Sequence, residues 1–269
     1  MVVQHNMRAM NSNRMLGLTA SAQTKSTEKL SSGYRINRAA DDAAGLSISE
    51  SMRRQIRGLT QASRNAQDGI SFAQSAEGAL TEVQDMLQRM NELLVQAANG
   101  TNSTTQIGYI NDEIDNLNTE IDRIGKDSNF NGQKIFNSKA RNIFVGETEK
   151  SEDISITAHD LTAAGVCGSK ISVTTNSTAK AALAKVRAGL EKISSWRSEL
   201  GAKQNRLEHT INNLDNLVEN TTAAESRVRD TDMATEMVKY SNANILAQAG
   251  QAMLAQSNQA NQGVLSLLQ

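Results

Sequence analysis

The sequence predicts a mainly α protein, an elongated antiparallel helical bundle or coiled coil with a small β-hairpin region. Three observations support this class: apolar residues recur at steps of three and four along much of the 269 residues, proline is absent, and aromatic residues make up only 3%. A sustained three-and-four repeat is typical of helices that pack along narrow seams. With so few large rings, a round core is less favoured than long helices lying side by side.

The first predicted helix covers residues 5–32, and its apolar positions are few. Gly33 predicts its end, because glycine adopts the left-handed conformation that closes many helices. A connector follows, and Asp41 and Asp42 are placed to cap the next helix. Residues 1–44 are therefore expected to form an N-terminal helix and its connector.

The next helix, 45–98, is the longest, and it organises the chain. Gly58, Gly69 and Gly78 interrupt it, so its stability must come mainly from close neighbours. A turn at 99–103 leads back into a third helix. The apolar stripes of the two helices are Met52, Ile56, Leu59, Ala62, Ala66, Ile70, Ala73, Ala76, Leu80, Val83, Leu87, Met90, Leu94 and Ala97, then Ile107, Ile110, Ile114, Leu117, Ile121 and Ile124. Residues 45–127 are thus expected to form a helical hairpin.

Residues 128–178 are the β-prone part of the sequence. Asn129 to Gly132 is a turn signal. Short strands are predicted at Ile135–Phe136, Ile143–Val145, Ile154–Thr157 and Ile171–Thr174. Cys167 lies in a run that reads as a loop, and as the single cysteine it has no intrachain disulfide partner and no neighbouring group that would activate it.

Two more helices complete the layout, one in segment 179–228 and one in segment 229–269. The first has a strong apolar seam in which Arg197 and Gln204 fill the two polar positions. The second helix is rich in Ala, Gln and Asn, so its apolar stripe is sparse. Weak helices at both ends of the chain are expected to pack on one another and on other copies of the chain.

Composition argues against several functions. The formal net charge of −1 shows no excess of basic residues, as binding of nucleic acid would require. No apolar run is long enough for membrane insertion. No HExxH, CxxC or phosphate-binding loop occurs, so neither an enzyme nor a metal or other cofactor is expected. No signal peptide is visible, so the chain is expected to stay in the cytosol or to leave by a route that needs none.

Distinctive motifs lie towards both ends of the chain. The N-terminal motifs are KLSSGYRIN (29–37), DDAAG (41–45), GLTQASRNA (58–66), DGIS (68–71), EGAL (77–80) and AANGT (97–101), and the C-terminal ones lie at 207–220, 224–236 and 263–268. Both sets resemble the motifs of bacterial flagellin. The resemblance covers nearly everything except residues 140–178. The variable outer domain of the family has only a short segment in its place here.

The resemblance implies a structural subunit that polymerises with copies of itself into the extracellular flagellar filament, for swimming motility. It implies terminal helices that line the filament core and are poorly ordered before assembly. It also implies partners: the flagellar cap and junction proteins, a flagellin-specific export chaperone that holds the C-terminal helix, and the type III export apparatus, which reads no cleaved signal peptide.

A further implication concerns host Toll-like receptor 5. Flagellins that this receptor recognises carry an Arg and a Leu on the long helix and a Glu on the following one, and Arg89, Leu93 and Glu113 fall at these places. Asn91 stands where enteric flagellins often have a second Arg, which could weaken the contact. The Arg and Leu would form an exposed charge beside an apolar anchor. Contact with an adjacent copy in the filament is the other interpretation of this pair.

Two alternatives to a filament subunit stay open at this point. A hook–filament junction protein shares the terminal helices and forms a single ring. A receptor-directed ligand would act mainly as a monomer. The long match at both ends favours the filament subunit.

Overall fold

The computed structural model describes residues 6–136, 139–146 and 153–266, with side chains as far as residue 260. This part of the chain is mainly α-helical, which confirms the predicted class. The helices are α1 (Met7–Ser32), α2 (Ala43–Ala97), α3 (Thr104–Asp127), α4 (Ala163–Cys167), α5 (Asn176–Arg229) and α6 (Met233–Ser266). The strands are β1 (Asn129–Phe130), β2 (Gln133–Lys134), β3 (Arg141–Ile143) and β4 (Ile154–Ile156).

The chain divides into two compact units, one of residues 1–56 and 219–269 and the other of residues 57–218. In the first unit α1 packs along α6. Gly33 closes α1 with φ of 75°, and Asp42 caps α2 by accepting a hydrogen bond from the backbone N–H of Gly45 at 2.9 Å. Asp41 does not cap α2; it accepts from the backbone N–H groups of Asn37 and Arg38 and so holds the connector.

The second unit contains the main core, and the apolar stripe of α2 faces it as predicted. Leu80, Leu87 and Leu94 are fully buried in one cluster with Ile114 of α3 and Ile193 of α5. Burying a side chain of this size contributes about 1.5–3 kcal/mol. Much of the stability of this unit therefore comes from the seams that the three-and-four repeat defines.

The polar positions of the α5 seam share one partner on α2. The guanidinium of Arg197 and the amide of Gln204 each donate to a different carboxylate oxygen of Glu77, at 3.3 Å in both cases. Arg197 also donates to Gln84 at 2.8 Å. Sliding α5 by one turn would leave these half-buried groups unpaired, so the polar layer fixes the register of the two helices.

In the described part of the segment 128–178, the strands differ from those that the sequence predicts. Asn131 and Gly132, with φ of 50° and 75°, form the tight turn between the antiparallel strands β1 and β2. β3 pairs with β4 antiparallel, with Ile143 opposite Ile154. The predicted strand at Ile154 is confirmed, whereas β3 ends at Ile143 instead of continuing to Val145. The predicted pair Ile135–Phe136 is buried but follows β2 instead of forming a strand.

The predicted strand Ile171–Thr174 is wrong. Ile171 and Val173 are buried as in a strand, but their backbone groups bond to two asparagines of α3 and not to a neighbouring strand. Asn118 donates from its amide to the carbonyl of Ile171 at 2.8 Å, and Asn111 accepts from the N–H of Val173 at 2.7 Å. The alternation of buried and exposed side chains in this segment therefore does not come from a β-sheet, because side chains of α3 bind its backbone groups.

Cys167 ends a short helix, α4, where the sequence suggested a loop. Thr162 caps α4 by accepting from the N–H of Gly165 at 3.0 Å, and Gly168 closes it. The thiol is buried, and burial raises the pKa of Cys167 to about 11. A thiol with so high a pKa is a weak nucleophile at neutral pH, which agrees with the lack of an activating neighbour in the sequence.

Two helical glycines of the second unit should respond to alanine in opposite ways. Gly78 of α2 is exposed, and an added Cβ would meet nothing within 4 Å. Gly125 of α3 is buried, and an added Cβ would clash with the carbonyl oxygen of Leu161. We expect Gly78→Ala to raise the free energy of unfolding by about 1 kcal/mol and Gly125→Ala to lower it by about 1–3 kcal/mol. Urea unfolding of the unassembled chain, followed by circular dichroism, measures both, and equal effects would contradict the packing at Leu161.

Candidate functional site

The terminal helices expose most of the large apolar side chains found at the surface. Among residues with described side chains, ten of the fifteen exposed large apolar residues lie on α1 or α6, and each of the ten is between 48% and 68% exposed. They are Met7, Met10, Met15 and Leu18 on α1 and Met233, Met237, Val238, Ile245, Leu246 and Met253 on α6. Apolar surface of this extent on one helix pair marks an interaction site.

A buried polar contact joins the two terminal helices. Ser26 of α1 donates to the carboxylate of Glu236 of α6 at 2.7 Å, and Lys239 lies 3.0 Å from the other carboxylate oxygen. The hydroxyl of Ser26, followed by Lys239, lowers the pKa of Glu236 below its usual value despite burial. Nothing in the sequence pointed to this pair, because its members are 210 residues apart and neither belongs to an apolar stripe.

The motif at 29–37 ties the end of α1 to the end of α5. The N–H of Arg35 donates to the carbonyl of Arg229 at 2.7 Å, and the N–H of Thr231 donates to the carbonyl of Gly33 at 3.0 Å. The guanidinium of Arg229 lies over the ring of Tyr34, 4.9 Å from its centroid. These contacts position α1 and α6, which begins directly after this link, so that they can pair.

Arg89 and Glu113, two of the predicted receptor residues, lie together in the second unit. The Nε of Arg89 donates to Glu113 at 3.0 Å, and its Nη1 donates to Glu92 at 3.1 Å. Both partners are open to solvent, with 52% of the Arg89 side chain and 45% of the Glu113 side chain exposed. The hydrogen bonds to Glu92 and Glu113 raise the pKa of Arg89. The cation is thus held in place but stays accessible.

Leu93, the third predicted receptor residue, does not lie at the surface. Its side chain is only 2% exposed and belongs to the main core cluster, as does that of Leu94. The residue expected as the apolar anchor beside the exposed Arg89 is therefore a core residue in this structure. This turn of α2 buries a wider face than the single stripe indicated, because two adjacent leucines point into the core.

The part of the chain with described residues shows no cluster of three or more His, Cys, Asp or Glu side chains arranged to hold a metal ion. Within the same ranges, no helix combines the length and apolar character that crossing a membrane requires. His159 stacks on Trp196 with ring centroids 4.4 Å apart and lies 3.3 Å from Glu199. The stack packs the segment 128–178 against α5.

Comparison with known proteins identifies both ends of the chain. The family model for the bacterial flagellin N-terminal helical region matches residues 3–141. The family model for the bacterial flagellin C-terminal helical region matches residues 183–268. The two matches together span most of the chain and leave out residues 142–182 between them.

Individual relatives agree with these matches. The chain is 50% identical to a flagellin of Halalkalibacterium halodurans and 46% identical to the flagellin of Bacillus subtilis, with all of both sequences covered in each case. The crystal structure of Bacillus cereus flagellin aligns with a TM-score of 0.51 at 28% identity, covering 56% of this chain and 88% of that one. The chain therefore belongs to the bacterial flagellin family, whose members are structural subunits of the flagellar filament and not enzymes.

Proposed function

We propose that the chain polymerises through its terminal helix pair and so builds the extracellular filament that drives swimming. The observation that carries this proposal is the concentration of exposed apolar side chains on α1 and α6. Within the described residues of their unit, the outer faces of the two packed helices leave these side chains exposed. Copies of the same pair, arranged around an axis, would bury those faces at once.

Other partners belong to the same proposal. A flagellin-specific chaperone would cover the apolar residues of α6 before export, and the type III apparatus would export the chain without a cleaved signal peptide. The cap and junction proteins would contact the ends of the growing polymer. The resemblance of the sequence motifs to flagellin supports these roles.

Growth on filament seeds tests polymerisation. Purified chain mixed with short seeds should give long filaments by negative-stain electron microscopy. A ring-forming junction protein would leave the seeds at their original length, and so would a ligand that acts only as a monomer.

The apolar surface of α6 can be tested by a double substitution. Ile245 and Leu246 are 64% and 60% exposed in the isolated chain. We expect Ile245→Ser with Leu246→Ser to slow growth on seeds at least about tenfold, because each side chain buried in the polymer contributes about 1–2 kcal/mol. The matched control exchanges the two residues, Ile245→Leu with Leu246→Ile, and keeps the apolar area. Normal growth of the serine variant would show that this surface is not buried in the filament.

We also propose that the Arg89–Glu113 pair contributes to binding of host Toll-like receptor 5. Arginine is among the residues that most often dominate an interface. Arg89 is exposed and is already oriented by Glu92 and Glu113. With Leu93 buried, the charged pair itself is the part of the predicted site that a receptor could contact.

Binding of the monomer to the purified receptor ectodomain tests this role. We expect Arg89→Ala to raise the Kd about tenfold. Arg123→Ala serves as the control, because Arg123 forms a similar exposed ion pair with Glu120 on α3. Equal loss in both variants would mean that general charge, and not the Arg89 site, controls binding.

A further inference from the structure

Methionine supplies much of the exposed apolar surface of the terminal helices. Six of the ten methionines in the chain lie on α1 or α6, and each of these six is between 48% and 68% exposed. We call them the exposed methionines: Met7, Met10 and Met15 on α1, and Met233, Met237 and Met253 on α6. Among described side chains, they are three of the four exposed large apolar residues of α1. One functional group, the thioether, therefore dominates the apolar outer surface of this helix.

Met7 and Met10 lie on the side of α1 that is turned away from α6. The face of α1 that packs on α6 recurs at steps of three and four from Ala9 to Ser26, and each of its positions is buried or half-buried. At about 100° per residue, Met7 and Met10 lie roughly 150° around the helix axis from the middle of that face. Their side chains therefore do not pack between α1 and α6 and are available for contact with another copy.

The methionines of the main core are shielded. Met90 of α2 is fully buried, and Met86 is half-buried against the same cluster. The single cysteine, Cys167, is buried as well. A dissolved oxidant reaches exposed sulfur atoms more readily than enclosed ones. The fold therefore divides its sulfur atoms into a reachable group on the terminal helices and a protected group in the core.

Hydroperoxides convert a thioether into a sulfoxide. With hydrogen peroxide, the sulfur lone pair attacks one peroxide oxygen, the O–O bond breaks, and the other oxygen leaves as water with both hydrogens. The sulfur loses two electrons, and the peroxide gains them. The product is a polar side chain where an apolar one had been. Methionine sulfoxide reductases reverse the change, releasing water and oxidising two thiols to a disulfide.

We propose that the exposed methionines are oxidation sites for hydroperoxides, and that their sulfoxides keep the chain from adding to the filament. The sites are open in the unassembled chain, and neighbouring copies cover them after assembly. An oxidised chain stays out of the polymer until a reductase restores its thioethers. The inference rests on the proposed polymerisation through α1 and α6, and it adds a reversible chemical change that turns this polymerisation off.

Oxidation of the unassembled chain with hydrogen peroxide tests the proposal. Catalase removes the peroxide before seeds are added, and circular dichroism checks that the helical content is kept. Peptide mass spectrometry should find the exposed methionines oxidised at least about tenfold faster than Met90. The oxidised chain should then elongate untreated seeds at least about tenfold more slowly than the untreated chain, because polar sulfoxides would have to enter apolar contacts.

Finished filaments provide a second measurement. The same peroxide treatment should oxidise the exposed methionines of the filament at least about tenfold more slowly than those of the unassembled chain. Equal rates in the two states would overturn the proposal, because assembly would then leave these sulfur atoms uncovered.

Leucine substitutions show which methionines are responsible. The test variant combines Met7→Leu, Met10→Leu, Met15→Leu, Met233→Leu, Met237→Leu and Met253→Leu, and its rate of growth after peroxide is compared with its own rate before. This ratio should stay within about twofold of one, because the leucine side chains cannot form sulfoxides. The matched control combines Met52→Leu, Met86→Leu and Met90→Leu, and it should lose growth after peroxide as the wild-type chain does. The test variant keeps Cys167, so its resistance would exclude the thiol as the cause.

Reversal completes the test without any variant. Methionine sulfoxide reductases of both stereospecificities, supplied with dithiothreitol, should return the oxidised wild-type chain to within about twofold of its original growth rate. Dithiothreitol alone is the control, and recovery with it alone would overturn the proposal, because a disulfide would then be the cause.

The remaining outcomes separate this inference from the proposed function. Undiminished growth of the oxidised wild-type chain would overturn the inference. Equal sensitivity of the six-leucine variant would do the same, and so would failure of the reductases to restore growth. Failure of the untreated wild-type chain to grow on seeds would instead contradict polymerisation itself.

Discussion

Among the described residues, the α1–α6 pair has no apolar partners on its outer faces, and this lack constrains the rest of the structure. The unit of residues 57–218 buries its seams within itself, around residues such as Leu87 and Ile193. In the unit that contains the terminal helices, Ile36 is the largest fully buried side chain among those described. A helix pair with so little core depends for its stability on what binds to it.

Polar groups determine how the helices fit together. Glu77 receives both polar side chains of the α5 seam, and Glu236 receives Ser26 across the terminal pair. Apolar stripes made of alanine, leucine and isoleucine tolerate more than one register, since one turn of displacement gives similar packing. A buried or half-buried carboxylate does not tolerate a shift in register, because the shift would separate it from its hydrogen-bond donors. The polar contacts thus select one arrangement among several that apolar burial would allow.

The sequence predicted the fold well where the signal is local. Helix bounds followed from the stripes and from Gly33, and the turn at Asn131 and Gly132 followed from its residue types. The failures came from tertiary contacts. The backbone at Ile171 is held by Asn118 of α3, which no local pattern reveals, and Leu93 is buried because the core side of α2 is wider than one stripe. For the candidate site, the meeting of Arg89 and Glu113 could be predicted and the contact of Ser26 with Glu236 could not.

The position of Glu236 in the chain also has a consequence for synthesis. Ser26 is made 210 residues before Glu236, which corresponds to about 10–40 s at typical rates of about 5–20 residues per second. During that interval α1 has no partner, so a strongly apolar helix in its place would be exposed to aggregation. Because α1 has few apolar positions, the nascent segment exposes less apolar surface than a strongly amphipathic helix would. The small number of apolar positions makes α1 dependent on neighbours in the polymer. It also lowers the risk of aggregation before α6 has been synthesised.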